Sequence, residues 1–512
     1  MEDSRRGEVL RFLRKPINFR PILFCALSFA AGIFFFGKFG ADKVKASSLA
    51  IIAVLAVIFV ALPFCVKSRF KTYLITSAFC LIFCSLGLFS ANVSLNSFEK
   101  GAFESGDYYV SGEVEFVREY DNNARFVTLK NCVYNGKKGG KLYIKYFPKK
   151  VKKYDLVNVI CSASPCDEYS GDGLSSNVFY GETMIASGAT FCEVADRSKS
   201  LCSRFAKFTD DILSDGSDEE EFAVARSLIR GDTDKMGENI EAYRMSGVAH
   251  VFAVSGMHVG LVFAALSLVF RFIPVKKIIK SLIISVVLFF YAYLCGMTAS
   301  SVRAAVMCSV AAIASSLGEK RDRINSIAIA LFIVLAINPF DLFSAGLVLS
   351  FAVSFAIILL VAPIKEIFSF APKRIGDTLS VLFAANSVSA PLSVMYFGYF
   401  PLVSFVTNIV VLPLVSVTFY SLWIGLIVCA ILPVNRLIAL FIPSNLIKLM
   451  SGLCNVFANF PLCITVFPAL FAAVYFVALI VASDFINDRR KTKIYSAVFA
   501  VVSVIVATLA SL

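Results

Sequence analysis

Both histidines of the chain, His250 and His258, lie eight residues apart at the start of a long apolar segment. Ser255 and Gly256 stand between them, so two imidazoles and a hydroxyl enter a stretch that is otherwise hydrocarbon. Polar side chains in such a stretch are costly unless they face a partner or a water-filled cavity. These residues therefore indicate that the segment lines a passage through a membrane and is not a plain anchor.

The spacing of the histidines argues against a shared metal. Eight residues are about two helical turns, whereas a zinc-binding pair commonly stands at i and i+4. Cys80 and Cys84 have that spacing, but they lie in an apolar segment, where cysteine usually acts as a small hydrophobe. The sequence contains no phosphate-binding Gly-x-x-x-x-Gly-Lys-Ser/Thr loop. We expect no metal, no cofactor and no enzymatic activity, and a hydrolase built on Ser255 and His258 is the weakest alternative.

The composition is that of a membrane protein. Apolar residues make up 58% of the chain, and the mean hydropathy is +0.77. A soluble protein could not bury so many apolar segments around ordinary cores. The net charge of +13 decides little, because membrane proteins retain Lys and Arg in their cytoplasmic loops. We therefore predict a polytopic α-helical protein of the cell membrane, with the lipid bilayer as one partner.

A window of about 19 residues predicts thirteen spans, and basic clusters orient them. The spans lie near 21–37, 48–66, 72–93, 249–272, 281–299, 303–318, 325–337, 343–363, 378–395, 402–431, 437–459, 464–483 and 495–511. The clusters assigned to the cytoplasm include Arg5, Arg6, Arg11, Arg14, Lys15 and Arg20, then Lys67, Arg69 and Lys71. The alternation predicts a cytoplasmic N-terminus, an exported segment at 94–246 and a C-terminus outside.

The exported segment changes character along its length. Short alternating, β-branched runs between Tyr108 and Val194 predict a small β-barrel, and apolar residues at three- to four-residue spacing then predict amphipathic helices. The chain thus divides into a basic cytoplasmic N-terminus (1–20), an anchor block (21–93), an exported barrel domain (94–200), amphipathic helices (201–246) and a second transmembrane block (247–512). The barrel's cysteines are expected either to form one or two disulfides or to stay free and buried, and they are Cys132, Cys161, Cys166 and Cys192.

A basic run in the barrel domain contains no acidic residue between positions 137 and 153. Its lysines and interleaved tyrosines are Lys137, Lys138, Lys141, Tyr143, Lys145, Tyr146, Lys149, Lys150, Lys152 and Lys153. Cations can follow the phosphates of a single nucleic-acid strand while aromatic rings stack on its bases. The alternative is a solvated edge strand whose lysines prevent aggregation. On these residues alone, the two interpretations are about equal.

Several motifs, taken together and in order, resemble the ComEC competence family. They are Ser227-Leu228-Ile229-Arg230-Gly231-Asp232, Met245-Ser246-Gly247-Val248-Ala249-His250, the Ser255–Leu261 core, Gly296–Ala304, Asn338-Pro339-Phe340-Asp341, Leu349-Ser350-Phe351, Ala390-Pro391-Leu392, Phe397-Gly398, Asn408 and Leu412-Pro413-Leu414. The resemblance covers about residues 20–480. Each motif alone is weak, and the set is specific.

The resemblance implies an inner-membrane channel that passes single-stranded DNA into the cytoplasm during natural competence. The barrel would then be an OB-fold-like domain that guides the strand, and residues 247–512 the competence channel domain. Residues that would line the passage are His250, Ser255, Gly256, His258, Arg303, Asn338, Asp341, Asn386 and Asn408. The alternative for Arg303 is a side chain that extends to the membrane interface, and the alternative for Asn338, Asp341, Asn386 and Asn408 is hydrogen bonding between helices. The implied partners are single-stranded DNA, an external ComEA-like receptor, a cytoplasmic ATP-driven ComFA-like translocase and a separate nuclease.

The sequence departs from the longer members of the family. These carry a C-terminal metallo-β-lactamase-like domain, whereas this sequence has no His-x-His-x-Asp-His cluster, so we expect a short form without nuclease activity. The competing hypothesis is a transporter or exporter of a small solute or lipid. In that case His258, Arg303 and Asp341 would relay a substrate or a proton.

Overall fold

The computed structural model describes most of the chain, namely residues 20–39, 71–119, 125–170, 173–214, 218–233, 236, 239–253, 255–318, 322–432, 435–460, 462–467 and 475–480. The basic segment before Arg20 lies outside the described residues. So do the expected spans near 48–66 and 495–511, and the basic residues Lys67 and Arg69.

The helices of the described part are, in chain order, α1 (Pro21–Phe39), α2 (Lys71–Gly101), α3 (Ser176–Tyr180), α4 (Leu201–Leu213), α5 (Glu219–Arg230), α6 (Asn239–Met245), α7 (Gly256–Arg271), α8 (Lys277–Leu294), α9 (Ala299–Ser316), α10 (Arg323–Ile337), α11 (Ala345–Ile367), α12 (Lys373–Phe397), α13 (Ser404–Ile431) and α14 (Arg436–Ala458). Eight of these described helices are long and apolar enough to cross a bilayer, and α7 and α10 are shorter apolar helices. The chain is a multi-pass membrane protein, as its composition predicts.

The predicted start is wrong for two of the spans. The span expected from residue 249 starts only at Gly256, because Ala249–Val251 forms a 3-10 turn and Ser255 is the N-cap of α7. The span expected from residue 464 begins with a strand, since Cys463–Ile464 pairs with Phe400–Pro401. Apolar content is the same in a helix and in a buried strand, so hydropathy alone does not separate them.

Helices α1 and α2 cross at two glycines. A Cβ atom on Gly32 would lie 2.2 Å from the carbonyl oxygen of Cys84, and one on Gly87 would lie 2.2 Å from that of Phe29. The backbones can therefore approach only because both positions lack a side chain. Helix α2 is 31 residues long, about 46 Å at 1.5 Å per residue. It is therefore longer than a bilayer core of about 30 Å.

The far end of α2 is joined to a β-rich domain. The carbonyl oxygen of Gly101 accepts hydrogen bonds from the backbone N–H of Gly140 at 2.9 Å and from Thr183 Oγ1 at 3.2 Å. One continuous helix thus carries this domain directly, without a flexible linker.

The β-rich domain is a closed barrel. The strands are β1 (Gly106–Glu119), β2 (Arg125–Tyr134), β3 (Lys137–Lys138), β4 (Lys141–Ile144), β5 (Asp155–Pro165), β6 (Tyr169–Ser170), β7 (Gly173–Leu174), β8 (Glu182–Ala186) and β9 (Phe191–Arg197), followed later by β10 (Phe400–Pro401) and β11 (Cys463–Ile464). The ring runs β1-β2-β4-β8-β5 and closes because β5 also pairs with β1. Alternate residues such as Val110, Leu129 and Val159 fill its interior. The predicted small β-barrel is confirmed.

The barrel's cysteines are free thiols rather than disulfides. Cys132, Cys161, Cys166 and Cys192 are all buried and unbridged, so the second of the two alternatives describes them. Burial raises the pKa of Cys132 and Cys166 to about 12. Since the thiolate is the reactive form, these two side chains are poor nucleophiles at neutral pH.

Helices α4 and α5 form a hairpin between the barrel and the membrane helices. Ser200 caps α4 by accepting a hydrogen bond from the backbone N–H of Ser203 at 3.2 Å. In α5 every side chain from Glu221 to Arg230 is buried, including those of Arg226 and Arg230. This part of the helix is therefore enclosed by its neighbours.

The Gly32→Ala substitution tests the crossing of α1 and α2. The added methyl group would force the two backbones apart, and overpacking of this kind costs about 1–3 kcal/mol. We expect a lower unfolding temperature in calorimetry of the purified protein in detergent. Gly452→Ala in α14 is the matched control, because its Cβ meets nothing within 4 Å. An equal decrease in unfolding temperature in the two variants would contradict a close crossing at Gly32.

Candidate functional site

Ser255 and His258 cap the start of α7 reciprocally. The backbone N–H of Ser255 donates to His258 Nδ1 at 3.2 Å, and Ser255 Oγ lies 3.2 Å from the same nitrogen. Since a backbone N–H can only donate, Nδ1 must accept, and the proton of the neutral ring is on Nε2. His258 is 0% exposed, and its Nε2 has no hydrogen-bond partner among the described residues. The capping contact thus fixes the tautomer of the ring.

Arg303 of α9 lies against the same end of α7. A Cβ atom on Gly256 would fall 2.5 Å from Arg303 Nη2, so the guanidinium can take this position because residue 256 has no side chain. Arg303 Nε donates to Ser350 Oγ at 2.9 Å, and the guanidinium lies over the ring of Phe351, 5.8 Å from its centroid. No ion pair joins Arg303 to a carboxylate of the described residues.

An uncompensated cation beside the N-terminus of a helix is an electrostatically positive place. The N–H groups of the first turn of α7 that the cap by Ser255 and His258 leaves unpaired add the positive end of the helix dipole to the charge of Arg303. Such an arrangement attracts an anion and repels a cation. Ser255, Gly256, His258 and Arg303 therefore form one cluster, which we call the α7 cluster.

The other residues expected to line the passage lie elsewhere. Asn338 and Asp341 belong to a turn between α10 and α11, where Asn338 Nδ2 donates to Asp341 Oδ1 at 2.7 Å. Burial raises the pKa of Asp341 to about 6, although Asn338 and the barrel residue Lys141 both act in the opposite direction. The turn Pro339–Phe343 contacts α3 of the barrel domain, and Phe340 packs in one apolar cluster with Val178, so this turn lies at the barrel end of the helices. The pair therefore caps a turn close to the barrel, away from the α7 cluster.

The two remaining asparagines and His250 differ in exposure. Asn386 of α12 and Asn408 of α13 are both buried. Asn386 Oδ1 accepts from Ser389 Oγ at 3.3 Å, which is a contact within one helix. His250 is exposed on the 3-10 turn before α7, whereas His258 is enclosed, so the two imidazoles have different environments.

The structure separates the basic run into three groups. Lys141 pairs with Glu115 at 2.6 Å, and Lys153 pairs with Asp232 at 2.7 Å. Lys137 and Lys138 are exposed on the short strand β3. The exposed lysines of the connection between β4 and β5 are Lys145, Lys149, Lys150 and Lys152. The acidic partners lie far from the run in sequence, so the lysine pattern gives no sign of them.

A groove lies beside this third group. Two depressions of about 320 Å³ and 520 Å³ meet at Ser162 and Ser187. Ser105, Lys145 and Ser164 also line the first, and Tyr146, Pro148 and Thr190 also line the second. Among these residues, the sequence pattern predicts only Lys145 and Tyr146.

Aromatic rings continue from the groove across the barrel surface. Tyr146 is 62% exposed, and its ring centroid lies 6.3 Å from that of Phe126. Phe126 in turn stacks on Tyr143 with centroids 6.0 Å apart and an interplanar angle of 20°. The exposed face of the barrel thus combines lysine, hydroxyl and aromatic groups in one place.

A buried charge network, which we call the junction network, joins the barrel to α4 and α5. Asp232 accepts from Lys153 Nζ at 2.7 Å and from Arg230 Nε at 3.0 Å, and Arg226 Nη2 lies 3.6 Å away. Burial alone would raise the pKa of Asp232, but Lys153 and the two arginines outweigh it and hold the pKa below its ordinary value. The carboxylate is therefore ionised at neutral pH.

A second carboxylate completes the junction network. Asp210 of α4 accepts a hydrogen bond from Arg230 Nη2 at 2.8 Å, and Arg226 Nε and Arg197 Nη2 lie 3.2 Å and 3.7 Å from its carboxylate oxygens. Arg230 Nη1 also donates to the carbonyl oxygen of Ala206 at 2.6 Å and to Thr209. Two cations of the barrel domain and two of α5 thus share two carboxylates. Sequence reasoning missed this network, although the Arg230-Gly231-Asp232 motif contains two of its members.

Among the described residues, no cluster of histidine, cysteine and acidic side chains could hold a metal ion. The fold and the site define a class, a multi-pass membrane protein whose helices carry a closed β-barrel and enclose a positively charged cluster. A family model described as Competence protein matches residues 228–487, about half of the chain. The chain therefore belongs to the Competence protein family, which confirms the resemblance found in its motifs.

A curated relative agrees with this assignment. Over 216 residues the chain is 31% identical to the ComE operon protein 3 of Bacillus subtilis (strain 168). That alignment covers 42% of this chain and 27% of the relative. No solved structure matches the chain.

The Asp232→Asn substitution tests the junction network. Removing one partner of a buried ion pair costs about 3–5 kcal/mol, so we expect a lower unfolding temperature at pH 7. Because the folded pKa of Asp232 is depressed, its stabilising effect is complete above the unfolded pKa of about 3.9 and is lost as the pH falls through the folded value. The difference between wild type and variant should therefore shrink below about pH 4.

Calorimetry of the purified protein in detergent between pH 7 and pH 3 measures this difference. Asp167→Asn, which alters an exposed barrel carboxylate, is the control and should change little at any pH. A variant at Asp232 that unfolds at the wild-type temperature at pH 7 would show that the network does not hold the barrel in place.

Proposed function

We propose that the protein conducts single-stranded DNA across the cell membrane into the cytoplasm during natural transformation. Membership of the Competence protein family supports a role in DNA uptake. The observation that carries the proposal is the α7 cluster, where Arg303 has no carboxylate partner among the described residues and lies at the N-terminus of an apolar helix. A phosphate backbone is an anion that this cluster could attract within a passage.

The proposal places the barrel outside the cell and the N-terminus in the cytoplasm. The turn Pro339–Phe343 contacts α3 of the barrel domain, so α10 ends and α11 begins near the barrel. Arg20, Arg323 and Lys365 then stand at the opposite helix ends, and Arg20 pairs with Asp322 there at 3.1 Å. Basic residues at the far ends favour a cytoplasmic location for those ends.

The ring order of the barrel supports an OB-fold-like arrangement. Five strands close as β1-β2-β4-β8-β5, and β4–β8 is the parallel pair in that ring. Domains of this kind bind single strands through a basic groove with stacking rings. Lys145 and Tyr146 border such a groove here.

The proposed role is passage without a catalytic step. The sequence has no phosphate-binding loop, so an ATP-driven translocase in the cytoplasm would supply the work. An external receptor would deliver the DNA, and a separate nuclease would degrade the strand that does not enter.

The Lys145→Ala/Lys149→Ala double variant tests DNA binding by the barrel. Each phosphate contact contributes about −0.7 to the slope of log affinity against log salt for single strands. Loss of two contacts should weaken binding of a thymidine oligomer and reduce that slope by about 1.4. Fluorescence anisotropy of the full chain in nanodiscs at several salt concentrations measures both quantities.

The matched control for that variant is Lys137→Ala/Lys138→Ala, which removes the same charge from strand β3, away from the groove. Unchanged affinity in the Lys145/Lys149 variant would remove the barrel from the DNA path. Equal weakening in both variants would show a diffuse charge effect instead of a groove.

The Arg303→Gln substitution tests the passage itself. A hydrogen bond to a charged group contributes about 1.5–3 kcal/mol, so uptake of labelled DNA should fall roughly ten- to a hundredfold while surface binding stays normal. Arg323→Gln, at the exposed start of α10, is the control and should transport normally. Immunoblots of membranes verify equal protein levels. Normal transformation in the Arg303 variant would show the residue to be structural.

A further inference from the structure

The groove on the barrel consists of two lobes with different chemistry. We call the first the serine lobe, formed by Ser105, Lys145, Ser162, Ser164 and Ser187. We call the second the aromatic lobe, formed by Tyr146, Phe147, Pro148 and Thr190. Ser162 and Ser187 stand at the boundary and contribute to both.

Strand pairing brings the serines together. On β5 the buried Cys161 and Ala163 alternate with Ser162 and Ser164, which places both serines on the outer face. The short pairing of β5 with β8 ends at Ala163 and Ala186. Ser187 follows directly, so its side chain borders the place where the two strands separate.

The serine lobe consists of hydrogen-bond donors. No hydrogen bond from the hydroxyls of Ser105, Ser162, Ser164 or Ser187 is formed within the described part of the chain. Serines of the membrane helices behave differently, since Ser285 and Ser354 bond carbonyl oxygens four residues earlier at 2.8 Å. With the ammonium group of Lys145 beside them, and with no carboxylate lining either lobe, these hydroxyls suit phosphate oxygens.

The aromatic lobe has a largely apolar wall. Tyr146 is largely exposed, while Phe147 behind it is buried and belongs to the barrel core. Thr190 is held by its own hydrogen bonds, from both its backbone N–H and its hydroxyl, to the carbonyl oxygen of Ile160. The wall is therefore fixed, and only the tyrosine ring presents a face for stacking.

We propose that the two lobes form one nucleotide-binding subsite, in which the serine lobe takes a phosphodiester group of a single strand and the aromatic lobe takes the adjoining base. This subsite rests on the proposed function and specifies how the barrel holds its substrate. Hydroxyl and ammonium donors read the backbone, and a stacking ring accepts any base, so the subsite is independent of sequence.

Two oligomer probes distinguish the contribution of the serine lobe to binding from that of the aromatic lobe. The first is a thymidine oligomer, and the second is an abasic deoxyribose-phosphate oligomer of the same length, which has the backbone without bases. Ser162→Ala/Ser187→Ala in the full chain in nanodiscs should weaken binding of both probes by about three- to tenfold. Tyr146→Ala should weaken binding of the thymidine oligomer about tenfold and leave binding of the abasic oligomer unchanged.

The controls alter the same groups away from the groove. Ser111→Ala removes a hydroxyl from β1, and Tyr180→Ala removes a ring that is 67% exposed. Both controls should bind the two probes as the wild type does. Circular dichroism and thermal unfolding establish that the groove variants are folded before their affinities are compared.

Each outcome decides between the hypotheses. If the serine variant binds both probes normally while the Lys145/Lys149 variant is weakened, the barrel binds DNA but the subsite is wrong. If the lysine variant is also unchanged, DNA binding by the barrel fails as well. If Tyr146→Ala weakens both probes equally, the division into lobes is overturned. If no groove variant changes either probe but they reduce capture of the external receptor, the groove binds a protein and the subsite is rejected.

Discussion

The junction network is the interaction on which the rest of the structure depends. Under the proposed function, a barrel that binds single-stranded DNA and a helix block that contains the passage can act together only if they stay aligned. Asp232 links Lys153 of the barrel to Arg230 of α5 through buried charges, and such charges are stable only while all partners are present. The hydrogen bonds at Gly101 provide a second attachment. The barrel is thus fixed at two points rather than tethered by a mobile linker.

Much of the fold could be predicted because one constraint determines it. A bilayer requires long apolar helices, so a hydropathy window predicts the bounds of α8 to α14 within a few residues. The alternation of apolar and polar residues predicts the barrel strands. The errors arise where a local hydrogen bond overrides apolar content. Ser255 and His258 cap each other and so delay the start of α7, and the pairing of Ile464 with Phe400 replaces the beginning of an expected span. Neither contact is visible in a hydropathy window.

Prediction of the candidate site from the sequence is limited in a different way. The lysine run is contiguous in the sequence and can be found there. The sequence does not show which of its lysines are paired, because Glu115 and Asp232, which pair with Lys141 and Lys153, lie at distant positions. Ser162 and Ser187 are unremarkable in the sequence, and only the pairing of β5 with β8 makes them neighbours. Long-range contacts, and not composition, thus decide which of the basic residues remain available to an anion.

Under the proposed function, the α7 cluster must attract each phosphate without retaining it. A conducting site has to bind strongly enough to admit the charge and weakly enough to release it. One guanidinium satisfies this better than several, and Arg303 is also held by Ser350 and by the face of Phe351, which limits how far it can follow a departing phosphate. The serine lobe of the groove obeys the same requirement, since four neutral hydroxyls surround the ammonium group of Lys145 there, and most of its donors to a phosphodiester carry no charge. Modest, repeated contacts of this kind suit a polymer that must keep moving.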